Sequence, residues 1–481
     1  MRRFVALVLM GLTAGCALGP NYKRPPVTAP EAARGHVGAP EAASLADQPW
    51  WEVFDDEALK TLIDEALRNN YDLRTATWRV EEFRARAGIA RSQLFPQIDY
   101  NGSWTRTLQS SLLTGVPAPA PYSYYDVNLG ASWEIDLWGR IRRLSESALA
   151  QFLATEEARR GVLLSVVSEV AEAYFELRML DARLEIDKRT TEAFQGTYDL
   201  FSRQFGGGIA SRLEVARAEA ALNTAAATVP NVERQIVAQE NLLCFLLGRN
   251  PGPIARGASL TEQKVPPQVP AGLPSALLER RPDVRQAEQQ LVSANANVGA
   301  ALASFFPTIS LTGSYGGVSS DLSSLLPSGK TWSFTAGLTG PLFHGMALKN
   351  QYEANLALFE EAKSQYESTV TNAFGEVSTA LVAHQKLSET EERLARSVAA
   401  YQEAVSLANM RYVSGLSSYV EVLDAQQQLF PAEIALAQTR FDRLANFVEL
   451  YKALGGGWNI QDPSWAPPQE QPAAAAPAQS Q

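Results

Sequence analysis

The chain has 481 residues, enough for two or three ordinary domains, of which 46% are apolar and 20% charged, with a formal net charge of −10. That acidic balance disfavours nucleic acid as a partner. Two cysteines cannot build a disulfide framework, and no run of about 18 apolar residues follows residue 16, which excludes a transmembrane helix.

Residues 1–15 read as a signal peptide. Arg2 and Arg3 form a basic start, and Phe4 to Leu12 an apolar core too short to span a bilayer. Small residues then lead to Cys16, a pattern similar to a bacterial lipoprotein signal in which that cysteine carries a covalent lipid. Ala17, rather than Asp, follows it, which by the same resemblance favours the outer membrane over retention at the inner one. Residues 16–55, rich in Pro, Ala and Gly, read as an extended tether.

A first repeat occupies 56–255. Leu59, Leu62, Ile63, Ala66, Leu67 and Leu73 recur at helical spacing from Asp56 to Gln93, and Pro96 stops the run. The period then changes to two, predicting a β-hairpin over 97–138. Ile98, Tyr100, Gly102 and Trp104 alternate with polar residues, as do Val127, Leu129, Ala131, Trp133, Ile135 and Leu137. Residues 139–205 lack proline and predict a long helix, which at about 1.5 Å per residue is a rod of about 100 Å that needs lateral packing. Gly206-Gly207-Gly208 closes it, and a returning helix follows over 211–247, with Pro230 expected to kink or break it. Cys244, in an apolar run, reads as a buried small hydrophobe.

After a linker at 256–274, the pattern returns over 275–458. It predicts a helix, a hairpin at 308–343, a long helix at 346–413, a turn at Ser414-Gly415, and a returning helix at 417–454 interrupted by Pro431. Leu94-Phe95-Pro96 returns as Phe305-Phe306-Pro307, 211 residues on, while Phe205, Gly208 and Glu214-Val215 return as Tyr412, Gly415 and Glu421-Val422, 207 residues on. A unit of about 200 residues is too long for a solenoid repeat, so the chain is one fold of two similar halves. Residues 459–481 read as a disordered tail.

Each alternating segment is about the length a tilted strand needs to cross a membrane. Four short strands beside such long helices make no large globular sheet, and four cannot close, since the smallest membrane barrels have eight. Copies must therefore combine. Glu134 and Asp136, read as facing the lumen, need water and favour the larger bore of a trimer. The expected fold class is mainly α with membrane β: a long α-helical barrel beneath a trimeric twelve-stranded β-barrel.

These residues carry a resemblance to a family. The elements are Cys16-Ala17-Leu18-Gly19-Pro20-Asn21-Tyr22, Trp50-Trp51, Leu94-Phe95-Pro96, Trp133-Glu134-Ile135-Asp136-Leu137-Trp138-Gly139, Arg280-Arg281-Pro282-Asp283-Val284, Phe305-Phe306-Pro307 and Leu454-Gly455-Gly456-Gly457-Trp458. Together, over about residues 16 to 460, the chain resembles the TolC-like outer-membrane efflux proteins, in the lipoprotein branch serving resistance-nodulation-division pumps. The resemblance implies an outer-membrane homotrimer, lipid-anchored and extending into the periplasm, that meets a periplasmic adaptor and an inner-membrane pump and passively conducts drugs, toxic compounds or metal ions outward.

No catalytic set competes with that reading. His36, His344 and His384 lack ligand spacing to a Cys or another His, so no metal site is expected. No phosphate loop, nucleophile elbow or zinc-protease helix occurs, and no cofactor is expected beyond lipid on Cys16. The informative residues are those that narrow the tube. Glu421 and Asp424 lie one helical turn apart on one face, and three copies would bring six carboxylates to the axis; by resemblance these match acidic rings at the periplasmic end. Tyr412 likewise matches a gate tyrosine and Glu214 its acidic partner. Where an arginine can follow the second turn this chain has Ser417, and Arg411 is a substitute charge. The tips, Gly207, Gly208 and Ser211 with Gly415, Leu416 and Ser417, are expected to dock the adaptor. Alternatives are a duct for type I protein secretion, a pore-free envelope-spanning lipoprotein, and an outer-membrane lipoprotein enzyme. The strand alternation weighs against the pore-free strut and the missing catalytic set against the enzyme.

Overall fold

The computed structural model describes residues 17–30, 34, 45, 53, 56–108, 120–263, 265, 277–325 and 327–456. Cys16, Trp50, Trp51 and the tail lie outside them. The chain runs α1 (Glu57–Asn69), α2 (Tyr71–Ser92), β1 (Gln97–Thr107), β2 (Tyr122–Ile135), α3 (Arg140–Gly206), α4 (Arg212–Leu246), α5 (Leu277–Arg280), α6 (Pro282–Ala303), β3 (Thr308–Ser319), β4 (Lys330–Thr339), α7 (Ala347–Val413) and α8 (Tyr419–Ala453). Two compact units result. One gathers 1–27, 78–157 and 286–368; the other gathers 28–77, 158–285 and 369–481. Each unit draws on both sequence repeats.

In the first unit the four strands form one antiparallel sheet in the order β1-β2-β3-β4. Its register aligns like with like. Tyr100, Leu129, Tyr315 and Trp332 stand in one row, and Ile98, Ala131, Gly313 and Phe334 in another. The row between them is Asp99, Gly130, Ser314 and Ser333, and the row on the other side of Ile98 is Gln97, Ser132, Thr312 and Thr335, all polar but for the glycine. Because side chains alternate faces along a strand, one face is an apolar band and the other is rich in hydroxyls and amides. The band is bare in the single chain: Tyr100 is 88% and Trp332 76% exposed.

The start of α3 corrects an expectation. Asp136 lies past the end of β2, where its carboxylate accepts N–H bonds from Ile141 (3.1 Å) and Arg142 (2.8 Å). It closes the first turn of the long helix, where a negative charge is favourable, and does not face a lumen from a strand. Glu134 is held by a two-pronged bond from Arg140, at 2.8 and 3.0 Å. Asp136 therefore drops out of the case for a water-filled bore, while Glu134 stays on β2 and partly exposed. β4 likewise stops at Thr339 before Gly340 and Pro341, short of the expected 343.

The helical unit is built on a core of Leu59, Ile63 and Ala66 from α1, Val170, Tyr174 and Leu177 from α3, Leu243 from α4 and Leu450 and Leu454 from α8 and its cap. Asp56 caps α1 through Ala58 N and Leu59 N, and also accepts from Tyr174 Oη (3.0 Å), Ala258 N (3.1 Å) and Gln263 Nε2 (2.7 Å). Burial raises the Tyr174 phenol to about 12. Part of the expected linker is thus packed: Leu260 is buried, and Arg256 bonds Glu240 and Asp181.

The expected first helix is two helices. Asn70 ends α1, its Oδ1 caps α2 at Asp72 N and Leu73 N, and its Nδ2 donates to Leu246 O at 2.8 Å. The second repeat makes the same joint with other chemistry: Arg281 precedes Pro282 and donates to Ala453 O at 2.9 Å. Conversely, of the kink or break expected at Pro230 and Pro431, no break occurs: α4 and α8 run unbroken through them. An interior proline costs a helix about 3 kcal/mol. Here buried neighbours on both sides, Ala225 and Val232 in α4, and Leu429, Phe430 and Leu436 in α8, hold the helix line.

Candidate functional site

The two hairpin tips lie in the helical unit and share a backbone. Ile209 N bonds Gln204 O at 2.8 Å and Leu416 N bonds Arg411 O at 2.8 Å. Each is a six-to-one helix ending that needs a left-handed residue, supplied by Gly208 (φ 74) and Gly415 (φ 72).

Their side chains differ. In the first tip Ser211 and Glu214 form a capping box. Glu214 Oε2 accepts from Ser211 N (2.6 Å) and Oγ (2.9 Å), and Ser211 Oγ accepts from Glu214 N. These bonds, the backbone one first, hold the Glu214 carboxyl below its ordinary range. In the second tip Ser418 makes no side-chain cap. Glu421, the counterpart of Glu214, turns instead to Arg411 Nε at 3.2 Å. Ser417 Oγ is buried without a hydrogen-bond partner.

Tyr412 and Glu214, paired by the family resemblance, are not bonded to each other within this chain. The Tyr412 hydroxyl accepts from Gln204 Nε2 at 3.3 Å, and its ring meets Tyr419 edge to face at 5.0 Å. Tyr419 is the residue that sequence reading passed over. It opens α8, packs on Phe201 of α3 at 5.1 Å and shares a hydrogen bond with the Thr197 hydroxyl. Burial raises its phenol pKa, with the nearby Tyr412 adding to the rise and the Thr197 bond opposing it. The second hairpin thus reaches into the first with two tyrosines, Tyr412 at Gln204 and Tyr419 at Thr197 and Phe201. An aromatic beside a helix turn was the available signal, but only tertiary contact reveals its partner.

Glu421 and Asp424 are both exposed on α8, with Val422 and Gln426 buried on the other side of the helix. Asp424 lines a groove of about 710 Å³ between α4 and α8, together with Arg217, Asp187 and Phe430. The tips also carry more apolar surface than small turns require: Ile209 is 81%, Val413 84% and Leu416 72% exposed. Apolar side chains exposed in this way are the kind that contact with another surface would cover. Among the described residues no group of His, Cys, Asp or Glu is placed to hold a metal ion, and no helix is long and apolar enough to cross a membrane.

The chain matches known proteins along nearly its whole length. The family model described as outer membrane efflux protein matches residues 62–249 and again 273–456, once in each half. The probable efflux pump outer membrane protein TtgC of Pseudomonas putida (strain KT2440) is 37% identical over 469 residues, spanning 95% of this chain and 96% of the relative. The cation efflux system protein CusC of Escherichia coli (strain K12) is 35% identical over 460 residues, spanning 94% and 98%. Among solved structures, the open state of the Neisseria gonorrhoeae MtrE outer membrane channel superposes with a TM-score of 0.84 at 34% identity, covering 92% of this chain and 98% of that one. The Campylobacter jejuni CmeC outer membrane channel gives 0.86 at 28%, covering 93% and 96%.

Proposed function

We propose, because the chain belongs to the outer membrane efflux protein family, that it is the exit duct of a three-part efflux system and that three copies close one pore. The observation that carries the closure is the bare four-stranded sheet. An unpaired edge does not survive in hydrocarbon, where every backbone donor and acceptor must be satisfied within the protein. β1 and β4 are the two edges, and they run in opposite directions. The β4 of one copy therefore meets the β1 of the next as an antiparallel pair, and the pattern propagates around a ring. Three copies give twelve strands, with the Tyr100–Trp332 rows outward toward lipid and the hydroxyl rows inward. Leu342 and Phe343, exposed beyond β4, extend the apolar girdle, and exposed Trp78 on α2 supports burial against a neighbouring copy.

Passage through such a duct is passive. The tips then form the inner mouth, with Glu421 and Asp424 from each copy near the axis, narrowing it while neighbouring helices hold them together. The exposed apolar tips meet a periplasmic adaptor, and the pump is an inner-membrane transporter of the resistance-nodulation-division type. Lipid on Cys16 anchors the assembly at the outer membrane. Relatives named for toluene, antibiotic or cation efflux sit at similar identity, which supports a duct that takes what its pump delivers: small organic toxicants or metal ions.

The test is migration on a gel before and after boiling, combined with conductance in planar bilayers. A trimer-sized band lost on heating, and discrete current steps, are expected. Monomers without current would overturn the reading.

A further inference from the structure

Residues 17–27 were expected to be loose tether, yet they are fitted into the sheet-bearing unit. Leu18 N donates to Trp138 O at 3.0 Å, at the junction of β2 and α3. Arg143, buried in the first turn of α3, donates through Nε to Leu18 O (3.1 Å) and through Nη2 to Gly19 O (3.3 Å) and Asn21 Oδ1 (2.8 Å). From α6, Asn295 Nδ2 donates to Pro20 O at 2.9 Å. Glu288 takes the Tyr22 hydroxyl at 3.1 Å and a forked bond from Arg24 at 2.7 and 2.6 Å.

The fit is close enough to dictate glycines. A Cβ on Gly19 (φ 90) would sit 2.5 Å from Gly299 Cα, and one on Gly139 (φ 81) would sit 2.6 Å from Ala17 Cα. The other repeat acts as an internal control. The residue before α7 has the same left-handed backbone but is Met346 (φ 70). Backbone conformation alone therefore does not require the glycine at 139; the passing segment does. The other clamp positions also lack counterparts. Arg143, fourth in α3, matches Asn350, fourth in α7, while Glu288 and Asn295 of α6 match Thr77 and Arg84 of α2. The cleft is built once, where the chain's own amino-terminal segment lies.

We propose that this segment is a fitted strap whose clamp, chiefly Arg143 and Glu288, holds the lipid-bearing Cys16 at the level of the sheet's rim, so that anchor and strands enter the membrane in register. Ala17 lies against Gly139, so the strap is held at the β2–α3 junction from its first described residue, and one residue spans about 3.8 Å. At that junction the Trp138 and Phe306 rings meet at 4.8 Å, tilted by 31°, and tryptophan is a side chain enriched at the membrane–water boundary. The strap shortens the search for a strand pair that must find lipid and neighbouring copies together.

This inference rests on the outer-membrane duct reading, and its test separates the two. The full chain is compared with Arg143→Ala, with the strap-side double change Tyr22→Phe/Arg24→Ala, which leaves the helices untouched, and with a flexible eight-residue spacer inserted between Cys16 and Ala17. Trypsin reports docking, because Arg24 precedes Pro25 and leaves the bond after Lys23 as the strap's cleavage site. Cleavage is expected to be at least about tenfold faster in both undocked variants, the factor that one lost charge-assisted hydrogen bond supplies. All three changes are expected to lower the heat-modifiable trimer in the outer membrane several-fold, with labelling by radioactive palmitate unchanged. The trimers that do form are expected to conduct like the parent. If the double change leaves Lys23 protected, or frees it without lowering the trimer, or if the spacer leaves the trimer at parental level, the proposal fails. Parental trimers that carry no current would sink the duct reading instead.

Discussion

The two hairpin tips have nearly the same backbone and opposite side-chain economies. The first is closed on itself: Ser211 and Glu214 satisfy each other's ends of α4. The second leaves its Ser418 cap unused, and spends Glu421 on Arg411 and Tyr419 on the first hairpin. A helix start without its cap is less stable by about 1 kcal/mol, and its order then depends on contacts made elsewhere. The second tip is therefore the less self-sufficient of the two, and its order rests on Arg411 and on the first hairpin.

The sharpest way to break this comparison is Tyr419→Ala. Removing a partly buried ring wedged against Phe201 and Tyr412 is expected to cost about 2 kcal/mol and to raise the conductance of the isolated assembly in planar bilayers. Tyr419→Phe keeps the ring and loses only the Thr197 bond, about 1 kcal/mol, so its conductance should lie between. If the alanine variant conducts like the parent, the tyrosine does not restrain the second tip. The paired change Glu421→Ala/Asp424→Ala is also expected to raise conductance, by relieving the carboxylates at the mouth. Arg411→Ala tests the exposed ion pair alone, which is worth no more than about 1 kcal/mol and should act more weakly.

Much of this was legible in the sequence because it depends on local pattern. The period-two stretches from Ile98 and Val127 marked strands, and proline-free runs marked α3 and α7. The gate candidates came from a resemblance and not from chemistry, since Glu421 and Asp424 on an exposed helix face look like any solvated pair. What was not legible depends on partners distant in sequence. Asn70 breaks a helix because Leu246 O is there to receive it. Pro230 and Pro431 fail to break theirs because buried neighbours outweigh the lost bond. Asp136 reads as one more alternating strand residue until α3 turns back onto it. Residues 17–27 have the composition of a tether, and nothing in that composition records Arg143 or Glu288. Tyr419 is one aromatic among many until Thr197 is seen beside it.

The smallest effects test the caps themselves. Ser211→Ala should loosen the first turn of α4 by about 1 kcal/mol, whereas Ser418→Ala should change α8 by a few tenths at most, and amide exchange at 212–215 against 419–422 reads the difference. Acid gives the same contrast without mutation. The Glu214 carboxyl titrates below its unfolded value, so it binds fewer protons in the folded state, and its contribution is complete above the unfolded pKa of about 4.3. It is lost as pH falls through the lower, folded value. Exchange at 212–215 should therefore quicken as pH drops below about 4 once the intrinsic pH dependence of exchange is divided out, and Ser211→Ala should abolish that response. The second tip, which has no such box, should show none from capping. Equal acid responses in the two tips would mean that the side-chain difference between them has no energetic consequence.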